Sequence, residues 1–292
     1  MKTILSILFE GGNVFKNVKI DKITRDNVRI ILNDFVDKIL KPLNLHRENQ
    51  DWTTVGSTGV AEISNDIDIA IAHKDTKELL DKLSSKLNNL GIENKFNPGF
   101  KMLHICWPNP KGNNSFVQID AILSPDLNLS KLYYQGNATS PTIFPNKFRT
   151  MLLGIIARNI ILDVISRFPD GSEKVFTRLS LDPNLGLSIV KSTYEGLNGT
   201  KLKNQRVLSK ETITKNPDEI IKYIFGKGAT KKDLESVESI LAFLKSPMFP
   251  HKDKYNKIIS DFKKKLEEEN FPIPAILETK QNTILSNKNI KF

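Results

Sequence analysis

The sequence predicts an α+β fold in which a mixed β-sheet domain is followed by a mainly helical second domain. Two observations lead to this prediction. In the first 125 residues, short runs rich in β-branched residues alternate with two amphipathic helical patterns. Beyond residue 140, helical patterns dominate and the charge balance becomes basic. We therefore expect a first domain over 1–140, a second over 141–270 and a C-terminal tail over 271–292, whose prolines and polar end predict poor order.

Strands are expected in the first domain wherever β-rich runs occur. The N-terminal run MKTILSILFE predicts one, because its apolar stretch is shorter than that of a secretory signal. Four more are predicted over 52–55, 66–72, 101–107 and 115–123, and the loop PNPKGNN joins the last two in a hairpin. These runs predict one mixed sheet.

Two helices are predicted beside this sheet. The segment ITRDNVRIILNDFVDKILKPL places apolar residues at helical spacing, begins its helix near Thr24 and is stopped by Pro42. The segment DTKELLDKLSSKLNNLG has Asp75 as its N-cap and Gly91 just past its end.

Helices are predicted through most of the second domain. The first is long and apolar, runs from about 146 to 167 and is expected to lie at the centre of the core. A hairpin is expected around 182–184, and three helices follow, in NPDEIIKYIFG, TKKDLESVESILAFLK and HKDKYNKIISDFKKKLEEEN. Thr230 and Asp233 match a capping box at the start of the second of these. The neighbouring stretch FGKGATKKD lacks the residue order of a phosphate loop, and a turn explains it better.

The positive charge lies in the second half of the chain. The net charge is +10, and residues 1–140 hold 17 lysines and arginines against 16 acidic residues, whereas residues 141–292 hold 26 against 17. Clustered lysine and arginine bind polyanions by displacing counterions from phosphates. Charge alone supports two interpretations equally: a surface that binds a polyanion, and a charged surface that serves solubility and has no polyanion partner. The segment KLKNQR, 201–206, is equally consistent with a nucleic-acid contact and with a solvated loop.

Cysteine content and hydropathy predict a cytoplasmic protein without a membrane span. The single cysteine, Cys106, excludes an internal disulfide, and no segment approaches the roughly 18 apolar residues of a transmembrane helix. His73, His104 and Cys106 do not have the spacing of a zinc site. His104 and Cys106 are therefore expected to be packed or half-buried on their strand.

The stretch VGSTGVAEISNDIDIAIAH, residues 55–73, carries the strongest chemical signal. In a strand, Asp66 and Asp68 share one face, while Ile67, Ile69 and Ile71 line the other. Two carboxylates about 7 Å apart along a strand repel each other, and the flanking side chains supply no cation. A bound divalent ion is the natural balancing charge, and hard oxygen ligands of this kind suit Mg²⁺.

Gly56 and Ser57 stand just before these aspartates and indicate a phosphate contact. Glycine lets a phosphate approach the main chain closely, and the hydroxyl of Ser57 can donate to a phosphate oxygen. The expected phosphate site therefore adjoins the expected metal site.

The order Val-Gly-Ser at 55–57, eight further residues and then Asp-Ile-Asp-Ile at 66–69 resembles the signature of the DNA polymerase β-like nucleotidyltransferase superfamily. That superfamily includes tRNA CCA-adding enzymes, poly(A) polymerases, aminoglycoside nucleotidyltransferases and several toxins. Its members need a third carboxylate on a later strand of the same sheet, and Asp120 in FVQIDAIL matches it, 52 residues after Asp68. The resemblance covers roughly residues 45–125 and implies a palm-like sheet. The GSTG loop and the N-terminal EGGNVFK also resemble uncharacterised phage nucleotidyltransferases, which implies host cytoplasm as the location.

The resemblance implies a reaction and a role for each residue. A nucleoside monophosphate passes from a nucleoside triphosphate to a hydroxyl acceptor, and pyrophosphate is released. Asp66 and Asp68 bind two Mg²⁺ ions, or Mn²⁺ in their place, while Asp120 ligates one of them and assists deprotonation of the hydroxyl. Gly56 and Ser57 contact the nucleotide. The basic second half is expected to hold the acceptor, a 3′ end of RNA or DNA.

One departure from the family pattern concerns the triphosphate. Many polymerase-like members place arginine or lysine in the loop after Gly-Ser, whereas residues 58–65 contain no cation and include Glu62. Lys147, Arg149 and Arg158 on the long helix are the first candidates to supply it, and ordinary solvated charges explain each of them at least as well.

Aromatic residues and other functions leave further alternatives. Trp107, Tyr133 and Tyr134 could stack on a base, although core packing explains them better. A second enzymatic function is modification of a protein or small molecule, as in a toxin or antiviral system. A third is a non-catalytic nucleic-acid-binding or assembly protein with the same fold, against which the three intact carboxylates argue.

Overall fold

The structure, a computed structural model, describes residues 14–99, 101–112, 114–135, 144–166, 174–194, 197–198, 201–202 and 205–278. The strand predicted at the N-terminus, the boundary predicted at 140 and most of the predicted C-terminal tail lie outside this set. The α+β class is confirmed, because a five-stranded and a four-stranded sheet pack with helices along the chain. None of the described helices is long and apolar enough to cross a bilayer.

The first half alternates strands and helices, as predicted. Its helices are α1 (Arg25–Phe35), α2 (Thr76–Asn89) and α3 (Leu127–Tyr134), and α1 continues into a π-helical turn and a 3-10 turn over Val36–Leu40 and Lys41–Leu43. Its strands are β1 (Ile23–Thr24), β2 (Trp52–Thr54), β3 (Ile63–Ser64), β4 (Asp66–Ala72), β5 (Asn94–Asn97), β6 (Met102–Pro108) and β7 (Phe116–Ser124).

The five-stranded sheet has the order β2-β4-β7-β6-β5. Strands β4 and β7 are parallel, and the other neighbours are antiparallel, so the sheet is mixed. The predicted hairpin of β6 and β7 is confirmed. Strands β1 and β3 form a separate antiparallel pair, which brings the start of α1 beside the loop that precedes β4.

Local sequence determines both ends and the buried face of helix α2. The Asp75 carboxylate accepts hydrogen bonds from the N–H groups of Lys77 and Glu78, so the predicted N-cap is confirmed. Gly91 follows the helix with φ of +69°, a conformation that favours glycine. The buried face of α2 repeats every four residues: Leu79, Leu83 and Leu87.

The apolar face of β4 packs into the first core. Ile67, Ile69 and Ile71 are fully buried and belong to one cluster with residues of α1 and α2. The opposite face of the same strand therefore carries Asp66 and Asp68, as the alternation predicts.

The second half contains helices and an antiparallel sheet. Its helices are α4 (Asn146–Asn159), α5 (Pro217–Phe225), α6 (Val237–Lys245), α7 (Tyr255–Glu268) and α8 (Ala275–Glu278), with 3-10 turns over Lys231–Leu234 and Lys252–Lys254. Its strands are β8 (Ile161–Ser166), β9 (Lys174–Asp182), β10 (Gly186–Tyr194), β11 (Leu197–Asn198), β12 (Lys201–Leu202) and β13 (Gln205–Thr214). Four of them form a sheet of order β13-β10-β9-β8, which the helical patterns do not predict beyond one hairpin.

The predicted helix over 146–167 is wrong beyond Asn159. Helix α4 ends there, because Ile160 adopts an extended backbone and the Asn159 amide donates to the Ile155 carbonyl at 3.0 Å. The following run ILDVIS forms β8, which pairs with β9. Three of its six residues are β-branched. Such residues favour a strand over a helix, and β9 provides the partner with which the strand pairs.

The hairpin predicted around 182–184 is confirmed as β9 and β10. The Asp182 carboxylate accepts from the N–H groups of Asn184 and Leu185, which closes the turn. Gly186 has φ of +75°, and an added Cβ would lie 2.3 Å from the Thr214 carbonyl oxygen of β13. The absence of a side chain at Gly186 therefore allows β13 to lie close to this turn. The described side chains of β13 are exposed or half-buried, so this strand has no fully buried face.

Two large clusters of buried residues divide the described part of the chain. The first extends from Ile23 to Leu123, and the second from Leu129 to Leu277. Helix α3 precedes residue 140 but contributes Leu129 and Leu132 to the second cluster, while it also contacts β4. This helix therefore connects the sheet that carries the aspartates to the basic half of the molecule.

Candidate active site

The parallel pairing of β4 and β7 brings the three predicted aspartates together. In this register Asp68 stands opposite Asp120, and Asp66 stands opposite Gln118. All four side chains lie on the sheet face away from the isoleucines. Two neighbouring strands thus present three carboxylates at the same edge of one face.

The loop after β2 lies directly against Asp68. The Val55 N–H donates to the Asp68 carbonyl at 3.0 Å, and the Asp68 N–H donates to the Thr58 hydroxyl at 2.7 Å. Gly56 has φ of +64°, and an added Cβ would lie 2.3 Å from Oδ2 of Asp68. Only a residue without a side chain fits between this loop and the carboxylate.

Ser57 follows in the same turn. Its carbonyl accepts from the N–H groups of Val60 and Ala61 at 3.1 and 3.0 Å, which closes the loop back on itself. The half-buried Ser57 is thereby held one residue away from the contact between Gly56 and Asp68.

Asp120 is held by two neighbours. His104 on β6 stands opposite it, with Nδ1 of the ring 2.8 Å from Oδ1 of the carboxylate. Nε2 of Gln118 donates to both carboxylate oxygens, at 3.0 and 3.2 Å. These contacts fix the buried carboxylate of Asp120 in one orientation.

His104 is a site residue that the sequence analysis missed. If the predicted strands 101–107 and 115–123 are paired symmetrically about their loop, Met102 rather than His104 falls opposite Asp120. The observed register differs by two residues, because β7 begins at Phe116 and pairs there with Pro108. The alternation of β6 puts His104 on the face away from Leu103 and Ile105, so the missing information was the register of the hairpin.

The carboxylates of Asp66 and Asp68 repel each other and are poorly solvated. Burial raises the pKa of Asp66 to about 6, and the charge of Asp120 adds to the shift, while His104 opposes it. Burial, followed by the charges of Asp66 and Asp120, raises the pKa of Asp68 well above its usual range. Within the described residues, no lysine or arginine forms an ion pair with Asp66 or Asp68. Burial and the neighbouring carboxylates therefore disfavour the ionised forms of both aspartates, which a bound cation would stabilise.

The donor set suits a hard divalent cation, although the carboxylates do not yet converge on one point. Across the residues that the structure describes, no three His, Cys, Asp or Glu side chains are arranged to hold an ion as they stand. The reason is visible at Asp120, whose two oxygens face His104 and Gln118. Asp120 pairs with His104, whereas Asp66 and Asp68 form no ion pair within the described residues and would be the ligands open to a divalent ion.

Two of the three cations proposed from the sequence for the triphosphate have other contacts. Arg149 is buried and donates to the carbonyls of Leu132, Tyr133 and Leu234, so its side chain is part of the core. Lys147 pairs with Glu269 at 3.2 Å. Of the three candidates only Arg158 is exposed.

A different cation, Arg25, contacts the loop after Gly-Ser. Its guanidinium donates to the Val60 carbonyl, and its backbone N–H donates to the Glu62 carbonyl at 3.0 Å. Arg25 is exposed and begins α1, which the pairing of β1 with β3 places beside this loop. The sequence pattern did not predict this contact, because Arg25 and Val60 are 35 residues apart in the chain.

The aromatic residues divide into core and site-facing groups. Trp107 is buried edge-to-face against Phe35, and its Nε1 donates to Asp34, which confirms core packing. Tyr134 instead packs against a small cluster that includes Val55 and Ala70, and its buried hydroxyl lacks a hydrogen-bond partner among the described residues. Burial raises the pKa of Tyr134 far above its usual value, and the negative charge of Asp68 contributes. The phenol is therefore neutral and lies within electrostatic reach of the carboxylates.

Comparison with known proteins gives structural matches only. No family model matches the chain, and no curated protein is similar to it in sequence. Among solved structures, the chain is similar to one of Cid1 described for its RNA terminal uridylyl transferase activity, with 15% identity, a TM-score of 0.29 and coverage of 54% of this chain and 57% of that one.

Two other solved structures show a likeness of the same degree. One is a cytoplasmic RNA terminal U-transferase, with 19% identity, a TM-score of 0.29 and coverage of 50% of this chain and 44% of that one. The other is Cid1 poly(U) polymerase bound to MgATP, with 14% identity, a TM-score of 0.28 and coverage of 60% and 65%. The chain thus spans about half to two thirds of the length of these nucleotidyltransferases, and the functional assignment depends on the site itself.

Proposed function

We propose that the protein is a metal-dependent nucleotidyltransferase, which moves a nucleoside monophosphate from a nucleoside triphosphate to a hydroxyl acceptor. The observation that carries the proposal is the pairing of Asp68 with Asp120, next to a glycine whose backbone lies against the Asp68 carboxylate. A purely structural site has no need for three carboxylates without an ion pair to lysine or arginine beside a turn that excludes side chains.

The chain's own groups have distinct roles in this reaction. Asp66 and Asp68 hold Mg²⁺ through hard oxygen ligands, and Gly56 leaves room for the triphosphate to approach the main chain. When bound, Mg²⁺ neutralises charge on the phosphates and makes the acceptor hydroxyl more acidic. Ser57, the next residue in the same turn, would donate its hydroxyl to a phosphate oxygen.

The transfer step balances with groups present in the site. The acceptor oxygen forms a bond to the α-phosphorus, the bond between that phosphorus and its bridging oxygen to the β-phosphate breaks, and pyrophosphate leaves. The hydroxyl proton passes to the Asp120 carboxylate, which His104 and Gln118 hold in place before catalysis. Positioning and charge neutralisation supply the catalysis, as is general for phosphoryl transfer.

The acceptor is proposed to be the 3′ end of a nucleic acid. Support comes from the second half, with 26 basic against 17 acidic residues, whose helix α4 contacts α3, the helix that also contacts β4. A protein or a small molecule is the competing acceptor and does not require a basic surface.

Transfer of label tests the proposal. Purified protein is incubated with each α-labelled NTP and dNTP, Mg²⁺ or Mn²⁺, and separate RNA, tRNA, DNA and protein acceptors. We expect label on a nucleic acid, and its loss in Asp66→Asn and Asp68→Asn variants that keep the melting temperature of the wild type or exceed it. Absence of transfer with every combination would favour the non-catalytic binding protein, and label on protein alone would reassign the acceptor.

A further inference from the structure

A groove on the second half lies outside the carboxylate site. It encloses about 510 Å³ between the C-terminal end of β13 and the exposed face of α5. Its walls include Ile213, Thr214, Glu219, Lys222, Tyr223 and Lys227. This set is named the α5 groove, and its volume falls in the range of a small-ligand site.

The amphipathic pattern of α5 produces the groove. Ile220, Ile221, Ile224 and Phe225 are buried, so the helix turns its other side outward. Tyr223 stands on that side with 52% of its surface exposed. A large aromatic ring that is not needed for the core is thereby available to a ligand.

Gly226 shapes one end of the groove. It ends α5 with φ of +90°, a conformation that favours glycine, and the chain reverses so that Lys227 lines the same space as Lys222. The predicted turn is confirmed, but the capping box of Thr230 and Asp233 opens a 3-10 turn over Lys231–Leu234 and not the predicted helix, which begins at Val237 after its own cap, Ser236. The turn also places a second lysine at the groove.

Charge in this region remains positive after local pairing. Residues 214–232 contain five lysines and two acidic residues. Asp218 pairs with Lys231 at 3.0 Å, and the Glu219 carboxylate accepts a hydrogen bond from the Thr214 hydroxyl. Within the described part of the chain, Lys222 and Lys227 form no ion pair. Both ammonium groups are therefore open to an anionic ligand.

We propose that the α5 groove binds single-stranded nucleic acid. One base stacks on the ring of Tyr223, and the phosphates on either side contact Lys222 and Lys227. An exposed aromatic ring between lysines is the combination that holds single strands without reading their sequence, because every base has a face to stack and every linkage has a charge.

The position of the groove gives this binding a use. Helix α5 contacts α3, and α3 contacts β4, the strand of Asp66 and Asp68. A strand held in the groove is thus anchored to the elements that lead to the carboxylates. Its role as an acceptor site depends on the proposed function, whereas the binding itself does not.

Fluorescence anisotropy tests the proposal without requiring chemistry. The full-length Asp68→Asn protein is titrated against fluorescein-labelled 15-nucleotide RNA and DNA of one sequence at several NaCl concentrations. Tyr223→Ala is expected to weaken binding about tenfold, within the range of base–aromatic stacking, and Tyr223→Phe to restore it. The pair Lys222→Ala with Lys227→Ala is expected to reduce the slope of log K against log[NaCl] by about 1.4, or 0.7 for each phosphate contact.

Matched variants control for general loss of charge and for folding. Lys252→Ala with Lys264→Ala removes two exposed lysines of the same half that do not line the groove, and should leave affinity nearly unchanged. Melting temperatures identify any variant that fails to fold. In that case the failed variant is replaced by Lys227→Glu, which reverses one charge at the groove. Binding of RNA or DNA that responds to these changes supports the groove.

The opposite result is equally clear. If Tyr223→Ala and the groove lysine pair behave like the control pair with both strands, the α5 groove does not bind nucleic acid and a protein partner becomes the better assignment. Because the assay uses an inactive variant, loss of groove binding and loss of transfer activity are separate outcomes.

Discussion

At the residue scale, the contact between Gly56 and Asp68 links the phosphate loop to the carboxylates. The loop leaves no space for a Cβ. Asp66 and Asp68 form no ion pair with lysine or arginine among the described residues, whereas Asp120 pairs with His104. The alternation of β4 predicted the shared face of Asp66 and Asp68, because strand periodicity is a local property. The partnership of Asp120 with His104 depends on hairpin register, and local pattern does not determine register to the nearest residue.

Substitution of Gly56 distinguishes the effect of its close contact with Asp68 from the effect of backbone strain at a positive φ. Gly56→Ala should abolish transfer, because the new methyl group would displace the Asp68 carboxylate, whose Oδ2 lies 2.3 Å from the Cβ position. Gly59→Ala is the matched control, with φ of +73° and open space around its Cβ position. Both variants should lose about 1 kcal/mol of stability from the positive φ, measured by urea unfolding. Equal loss of activity in the two would show that strain, not contact, matters.

The raised pKa of Asp66 predicts how stability depends on pH in the metal-free protein. The folded state retains this proton up to about pH 6, whereas an unfolded aspartate releases it near pH 4. The folded state therefore binds more protons over this interval, so the free energy of unfolding falls as pH rises through it. Burial shifts the pKa of Asp68 in the same direction, so its contribution to the pH dependence has the same sign.

Melting temperatures in EDTA test this dependence. From pH 5 to pH 7.5 the wild type should lose several degrees more than Asp66→Asn does, since about 1 kcal/mol corresponds to roughly 3 °C in a protein of this size. The exposed Asp37→Asn serves as the control and should follow the wild type. An identical pH profile for Asp66→Asn and the wild type would show that Asp66 is not buried with uncompensated charge.

At the element scale, the structure differs from prediction where partners distant in sequence decide the outcome. Strand β4 matches its prediction residue for residue, and α2 begins at the predicted cap. Helix α4 is shorter than predicted, because the run after Asn159 finds a strand partner in β9. Strand β13 has exposed apolar residues and exists through its pairing with β10, a contact that no local pattern contains.

Arg149 connects three elements of the second core. Its guanidinium satisfies the carbonyls of Leu132 and Tyr133 at the end of α3 and that of Leu234. Burial lowers its pKa to about 10, and it stays charged at neutral pH. Arg149→Leu should cost about 3 kcal/mol in urea unfolding, because buried carbonyls lose their donors. Arg158→Leu on the same helix is exposed and should change stability by less than about 0.5 kcal/mol; comparable losses would mean that the carbonyls are solvated.

At the scale of the whole molecule, the charge and the two candidate sites divide between the halves. The nearly neutral first half carries the carboxylates, and the basic second half carries the α5 groove. Composition predicted the division of charge, because counting charged residues along the chain requires no knowledge of which strands pair. Composition could not locate the groove, because its lysines and tyrosine become neighbours only when β13 and α5 meet.

Metal binding should stabilise the whole protein through the first half. Mg²⁺ at about 100 times its dissociation constant adds about 2.7 kcal/mol to the free energy of unfolding if it binds only the folded state. We expect the melting temperature of the wild type to rise by several degrees with Mg²⁺ and to return after addition of EDTA, while Asp68→Asn stays unchanged. A rise of equal size in Asp68→Asn would place the ion elsewhere.

The central claim is that the carboxylates of β4 and β7 drive transfer of a nucleotide to an acceptor. The most direct test is to quantify pyrophosphate and labelled acceptor in the same reaction, with Mg²⁺ and with EDTA. The proposed chemistry predicts one pyrophosphate for each labelled nucleotide incorporated, and neither product in EDTA or with Asp68→Asn. Products undiminished in Asp68→Asn, or pyrophosphate without labelled acceptor, would contradict it.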